Sequence, residues 1–317
     1  MEQGKFEGVV PPVIVPLKAD RSLDADSFER SINRMIDAGI DGLFFLGSSG
    51  GVAFATDAER DEIMEHACSI VNGRVPIMAG VIDIETNRVI EQVKRMESFD
   101  VDAIVTTAPF YAISGPKEIE RHFRQIRTST DLPLFAYDIP PCVNKKLEVD
   151  MLVRLGKEGI IQGVKDSSGD DVAFRWLIVE NEQAGHPLQL FTGHEVVVDG
   201  AYLGGADGSV PGLANVDPFS YVEQWKAALA HDWDKVSEIQ DRLAMLMMVT
   251  KNISATVGFG AGVGAFKTAL WQLGIFNTNQ MREPVQALEG QDVENIADVL
   301  RKSGMLPEGF QTIADWK

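Results

Sequence analysis

The stretch GIIQGVKDSSG (159–169) joins a nearly unbroken apolar run to a lysine and then to small polar residues. A run that does not alternate with polar residues is the pattern of a strand buried on both faces, as in a parallel sheet. A lysine closing such a run is costly as a cation unless it is paired, solvated or able to lose its proton. Seven further runs have the same character: VVPPVIVPL (9–17), GLFFLGS (42–48), PIMAGVI (76–82), AIVTTAP (103–109), PLFAYDIP (133–140), LQLFTG (188–193) and ADGSVPG (206–212). Amphipathic segments separate them. In LDADSFERSINRMIDAG, Asp24 or Asp26 can cap a helix whose buried face is Phe28, Ile32, Met35 and Ile36, with Gly39 as the stop. In TDAERDEIMEHACSIVNG, Thr56 is the cap, Ile63, Met64, Ala67, Ile70 and Val71 form the stripe, and Gly73 is the expected terminator.

Eight strand–helix units in series predict an α/β fold of the closed (β/α)8 TIM-barrel type, with an open doubly wound sheet as the alternative. After DPFSYVEQWKAALAHD (217–232) the strand pattern stops. The expected organisation is a barrel over 1–232 and a C-terminal helical extension over 233–317, packed on the barrel rather than separate, since no linker-like tract precedes it.

The chain has 317 residues, with 29 Lys plus Arg against 47 Asp plus Glu, a formal net charge of −18. That balance gives no electrostatic case for binding nucleic acid or an anionic membrane. Cys68 and Cys142 are the two cysteines, too few for a disulfide framework. The segment MEQGKFEGVV lacks the basic and apolar regions of a leader, and no apolar run approaches the roughly 20 residues of a membrane span, so a cytoplasmic protein is expected. His66, His122, His186, His194 and His231 show no ligand spacing, and neither GSSGG (47–51) nor GFGAGVGAFKT (258–268) fits a nucleotide-binding pattern. No metal and no cofactor are expected. NIS (252–254) matches a glycosylation sequon only by accident in such a chain.

In a barrel, reactive groups sit at the carboxyl ends of strands. Lys165, Tyr137 and GSSGG fall there. A desolvated amine can attack a carbonyl and form an imine; the plainer reading of Lys165 is pairing with Asp166 or reaching for solvent. Ser48, Ser49 and the permissive backbone at Gly50 can hold a carboxylate, or simply make a turn. Tyr137 can relay protons or pack locally, and Phe110 and Tyr111 allow the same two readings.

Taken together, GSSGG (47–51), APFY (108–111), YDIP (137–140), GVKDSSGD (163–170) and GADGSVPGLANVDP (205–218) resemble, in order and spacing, the dihydrodipicolinate synthase and N-acetylneuraminate lyase family. The match spans about 1–230 and continues weakly into FKTALWQLG (266–274). The resemblance implies a class I aldolase-type enzyme on a (β/α)8 barrel, with Lys165 forming an imine to pyruvate and Tyr137 shuttling protons. It also implies that Ser48 and Ser49, with the Gly50 backbone, bind the keto-acid carboxylate, and that Tyr111, Ser167, Gly193, Glu195 and Val210 line the rest of the substrate site. Two positions depart from the pattern. Gly51 stands where a glutamate commonly closes the first motif, and Cys142 stands where the synthases usually carry the arginine that holds a second carboxylate, which a thiol cannot replace. After Gly193, His194, Glu195 and Val196 supply one acid where sialic acid lyases commonly have two.

The expected function is therefore a lyase or aldolase, N-acetylneuraminate lyase-like, that cleaves or forms a 2-keto-3-deoxy sugar acid or a related 2-keto acid, with pyruvate and an aldehyde as its small-molecule partners. A sugar-acid dehydratase or a dihydrodipicolinate synthase of the same family is the alternative, and a keto-acid sensor without turnover is the alternative from another class. The resemblance further implies a homotetramer built as a dimer of dimers.

Overall fold

The computed structural model describes residues 6–307 apart from Ile113 and Ala255, together with Gly309. The stretch expected as a helical extension thus runs in part outside the described residues, as does Ile113 of the loop APFYAIS. Eight strands form one parallel sheet: β1 (Gly8–Val9), β2 (Leu43–Phe45), β3 (Ile77–Gly80), β4 (Ala103–Thr107), β5 (Leu134–Asp138), β6 (Gly163–Asp166), β7 (Gln189–Thr192) and β8 (Gly208–Ser209). Their order is β1-β8-β7-β6-β5-β4-β3-β2. The two ends meet through a parallel bridge between Pro12 and Phe44 and through Asp41 N donating to Val9 O, Phe44 N to Pro11 O and Val13 N to Phe44 O. The sheet is a closed barrel, which excludes the open doubly wound alternative. β1 is far shorter than the apolar run 9–17 because Pro11 and Pro12 bring no N–H to a ladder.

Asp24, not Asp26, caps the helix Ala25–Ala38, accepting from Ser27 N, and Gly39 ends it in the left-handed region at φ +91. Thr56 and Glu59 form a reciprocal capping box at the start of the helix Asp57–Val71. The expected terminator Gly73 is corrected by one place. Asn72 takes the left-handed cap position at φ 47, tolerable because asparagine's short polar side chain visits that region.

Side chains inside the barrel stack in layers. Phe135 lies on the same rung as Gly163 and edge-on to both Phe6 and Phe191, at 5.5 and 6.2 Å between ring centroids. A Cβ on Gly163 would sit 2.2 Å from the Phe135 ring, so glycine leaves the space that the phenyl fills. That layer is the floor of the site, because Tyr137 and Lys165 occupy the next inward-facing rung.

Among the described residues only helices and turns follow β8. The helix Phe259–Gln272 reaches the carboxyl-end loops: Phe259 packs on Phe54 at 4.9 Å, and Phe266 touches the surface of Gly212. At the start of the β2 loop the chain makes a sharp bend, with Leu46 left-handed at φ 54 and its carbonyl turned against Gly80 at the end of β3. A Cβ on Gly80 would stand 2.0 Å from that oxygen, and backbone cannot swing aside as a flexible side chain can. Gly80→Ala should therefore cost about 1–3 kcal/mol, the usual range for overpacking. Gly262→Ala, inside the helix Phe259–Gln272 with open space at its Cβ, should gain about 0.5–1 kcal/mol. Denaturant unfolding midpoints of the two variants check both signs.

Candidate active site

At the last inward rung of β5 and β6, Tyr137 and Lys165 are direct register partners. Both are buried, Lys165 to 6% exposure. The amine Nζ lies 4.1 Å from the centroid of the Tyr137 ring and 5.0 Å from that of Phe44, with Phe44 edge-on to Tyr137 at 6.2 Å. Among the described residues no carboxylate lies within ion-pairing distance of it. Pairing with Asp166, the plainer reading of this lysine, does not occur. Successive residues of a strand face opposite ways, so Asp166 points outward, where Lys146 Nζ reaches it at 3.2 Å.

The GSSGG loop closes over the mouth through Gly51 N donating to Ser48 O and Val52 N to Gly47 O. Gly51 is left-handed at φ 73, a conformation that a glutamate there would adopt only with strain. Support comes from elsewhere. Arg60, buried, donates to Val52 O at 3.2 Å and to Ile82 O at 3.3 Å, and Arg282 pairs with Glu59. Cys142 faces the same loop, with its thiol in the field of Ser48 and Lys165. Although Cys142 as a residue is exposed, burial around the thiol pushes its ionisation up, and Lys165 and Ser48 pull the other way.

Ser49 and Glu195 converge above Gly212: the point where its Cβ would sit is 2.9 Å from Glu195 Oε1 and 3.6 Å from Ser49 Oγ. Glu195 Oε1 also accepts from Leu213 N at 2.7 Å, and burial drives its carboxyl above the ordinary range while that N–H and Lys165 oppose the shift. Ser167 covers Gly193, its Oγ 2.1 Å from where a Cβ would be. Gly50 backs onto Val13 O. Val210 commits its N–H to Thr192 O at 2.8 Å, so that donor belongs to the sheet. Tyr111 is not brought into the pocket of its own chain, being 93% exposed and left-handed at φ 69.

Residues 5–303 match the Dihydrodipicolinate synthetase family. The chain belongs to this family. Its members are pyruvate-dependent lyases of the aldolase type. A DapA-like lyase of Halobacterium salinarum, itself uncharacterized, is 30% identical over 95% of both chains. The probable 2-dehydro-3-deoxy-D-pentonate aldolase YjhH of Escherichia coli K12 is 28% identical over 76% of this chain and 81% of its own. The crystal structure of YagE, a prophage protein of the dihydrodipicolinic acid synthase family from E. coli K12 in complex with pyruvate, superposes with a TM-score of 0.89 at 25% identity, covering 95% of this chain and 99% of that one.

Several residues around this family site were not singled out from sequence. Asp138 and Lys146 flank the Tyr137–Lys165 rung from outside; for Asp138, its place directly after Tyr137 was the signal that could have found it. Burial pushes the Asp138 carboxyl up to about 6, with Lys146 pulling it back. His122 is another. Its Nε2–H donates to Thr107 O at 3.1 Å and its Nδ1 accepts from the Thr86 hydroxyl at 3.0 Å, which makes it a neutral ring bracing the residue paired with Tyr137. Nothing in RHFRQ (121–125) signals that role. Among the described residues, no three His, Cys, Asp or Glu side chains group to hold a metal ion.

Burial lowers His122 from 6.5 to about 4. Between those values the unfolded chain takes up a proton that the folded one refuses, so this residue's contribution to stability is present above pH 6.5 and lost as pH falls toward 4. In His122→Gln, the slope of unfolding midpoint against pH should flatten across that window, whatever the absolute loss of stability.

Proposed function

We propose that the chain is a Schiff-base lyase that cleaves or forms a 2-keto-3-deoxy sugar acid or a related 2-keto acid, releasing or consuming pyruvate, and that it resembles the N-acetylneuraminate lyases in mechanism. The observation that carries this reading is the Lys165 amine, buried, without a carboxylate partner, and 4.1 Å over the Tyr137 ring. An uncharged amine adds to the keto carbon, and the phenol of Tyr137 protonates the carbinolamine hydroxyl, which leaves as water. The resulting phenolate takes the proton of the C4 hydroxyl while the C3–C4 bond breaks and its electrons flow into the imine. The aldehyde departs, the phenol returns its proton to C3, and water releases pyruvate from Lys165.

Ser48 and Ser49, with the Gly50 backbone, hold the carboxylate. Ser167, Gly193 and Glu195 face the hydroxylated tail, and Val210 shapes the wall beneath them. Cys142 offers no guanidinium, which argues for a substrate without a second carboxylate and against a synthase. The pentonate aldolase among the relatives and the pyruvate complex of YagE support the same substrate class. Tyr111, exposed in its own chain, is free to meet another copy. We take the working form as a homotetramer in the cytoplasm, with residues 1–232 as the barrel and 233–317 as its helical extension. The exposed apolar side chains Val172, Trp176 and Leu203 on neighbouring helices support association. Two free cysteines support a reducing compartment, and among the described residues no helix is long and apolar enough to cross a membrane.

Borohydride added with pyruvate should fix an adduct on the peptide carrying Lys165, and a panel of 2-keto-3-deoxy acids should include one that releases pyruvate. An adduct on another lysine, or none, would remove the imine mechanism; an adduct without turnover of any acid would favour a sensor. Tyr137→Phe keeps the ring that fills the barrel and removes only the hydroxyl. Turnover should fall about 10²–10⁴-fold, the usual worth of positioned acid–base catalysis. A packing role alone predicts an unchanged rate and a stability loss of about 0.5–1.5 kcal/mol. Pyruvate release and unfolding midpoint measured on one sample separate the two.

A further inference from the structure

Directly behind the reactive rung lies a second one. Asp138 and Asp166 are register partners on β5 and β6, as are Tyr137 and Lys165 before them, and alternation turns the two carboxylates to the outer face of the barrel. Asp138 is completely buried and Asp166 nearly so. Two carboxylates on adjacent strands at one rung repel, and burial strengthens the repulsion.

Lys146, from the segment between the helices Pro140–Val143 and Val149–Lys157, puts its Nζ on Asp138 Oδ2 and on Asp166 Oδ2. The other oxygens are served by backbone: Leu147 N donates to Asp138 Oδ1 at 3.1 Å, and Ser168 N to Asp166 Oδ1 at 2.8 Å. Main-chain bonds close the frame, with Ser167 N on Asp138 O and Gly193 N on Asp166 O. Among the described residues no other cation pairs with either carboxylate. Both aspartates raise the affinity of Lys146 for its proton against the opposing effect of burial, so the clamp stays charged.

We infer that Lys146 is a positioning residue: by drawing the Asp138 and Asp166 carboxylates together on the outer face, it sets the spacing of Tyr137 and Lys165 on the inner face of the same two strand ends. The inference rests on the reading of Lys165 as the imine former and Tyr137 as the proton relay. A proton relay is sensitive to small displacements, whereas carboxylate binding by the GSSGG loop does not pass through this clamp. The consequence falls on kcat more than on KM.

The test compares the wild-type chain with Lys146→Met, Lys146→Arg and Asp138→Asn/Lys146→Met. Measured for each are the rate of borohydride trapping with pyruvate, the trapped peptide, kcat, KM and the unfolding midpoint. In Lys146→Met the adduct should still form on Lys165, with trapping rate and kcat lowered by about 10- to 100-fold, the scale expected for a displacement of about 1 Å, and KM little changed. Lys146→Arg, which keeps a cation able to span both carboxylates, should restore most of the rate. A Lys146→Met chain with a lowered midpoint and wild-type kcat would overturn the inference and leave a plain structural cross-link. Should that variant fail to fold, Asp138→Asn/Lys146→Met, free of the repulsion, carries the test. A kcat lowered about tenfold or more at unchanged KM supports the role, and a wild-type kcat overturns it. Failure of the wild type to trap pyruvate on Lys165 would instead overturn the imine reading, and the positioning role with it.

Discussion

The two-residue repeat of an extended chain governs this molecule. In a closed parallel barrel it sorts each strand into residues that fill the interior and residues that face the helices, with no intermediate orientation. At the ends of β5 and β6 this places an amine and a phenol side by side within, and puts the carboxylates that follow them on the other side of the sheet. Neighbours in the chain are thereby separated in space. A lysine and an aspartate adjacent in sequence would be the obvious ion pair in a loop; on a strand they cannot meet, and the amine is left without that partner.

What surrounds that rung is built to hold it still. Phe135 and Gly163 make a floor, Phe44 a wall, and His122 braces β4 from behind. The roof is contributed by distant parts of the chain. Phe259 and Phe266, two turns apart on one helix, press on the loops carrying Ser48, Ser49 and Gly212, while Arg282 reaches back to Glu59 at the foot of the same loop. The helices after the barrel thus take part in shaping the mouth, and the loop at Gly51 is held by contacts from outside the motif.

The architecture was legible because burial on both faces leaves an unmistakable apolar record in each strand, and because caps such as Asp24 and Thr56 obey local hydrogen-bonding rules. Strand limits were less so: Pro11 and Pro12 sit inside an apolar run, and the ladder stops where their missing N–H groups begin. Within the site, Lys165 and Tyr137 stood out since a polar group at the end of a buried strand needs an explanation. Lys146 and Arg282 did not, because a charged residue in a surface-like segment looks the same whether it faces water or a buried carboxylate several elements away. Tyr111 is the opposite case. Its motif implied a pocket residue, yet its own chain leaves the ring in the open.

The same prolines bear on how the polypeptide reaches this state. Gly8 pairs with Gly208, so the first strand has one flank without its neighbour until the ribosome has delivered the eighth. A long, flat, hydrophobic edge waiting that long would invite pairing with other nascent chains. Here the strand is only Gly8 and Val9, and past Val10, whose N–H is taken by Ser209 O, come two residues that cannot donate. The seam of the barrel is also its safeguard during synthesis: too short and too poor in donors to recruit a stranger, it is completed only by the strand that arrives last.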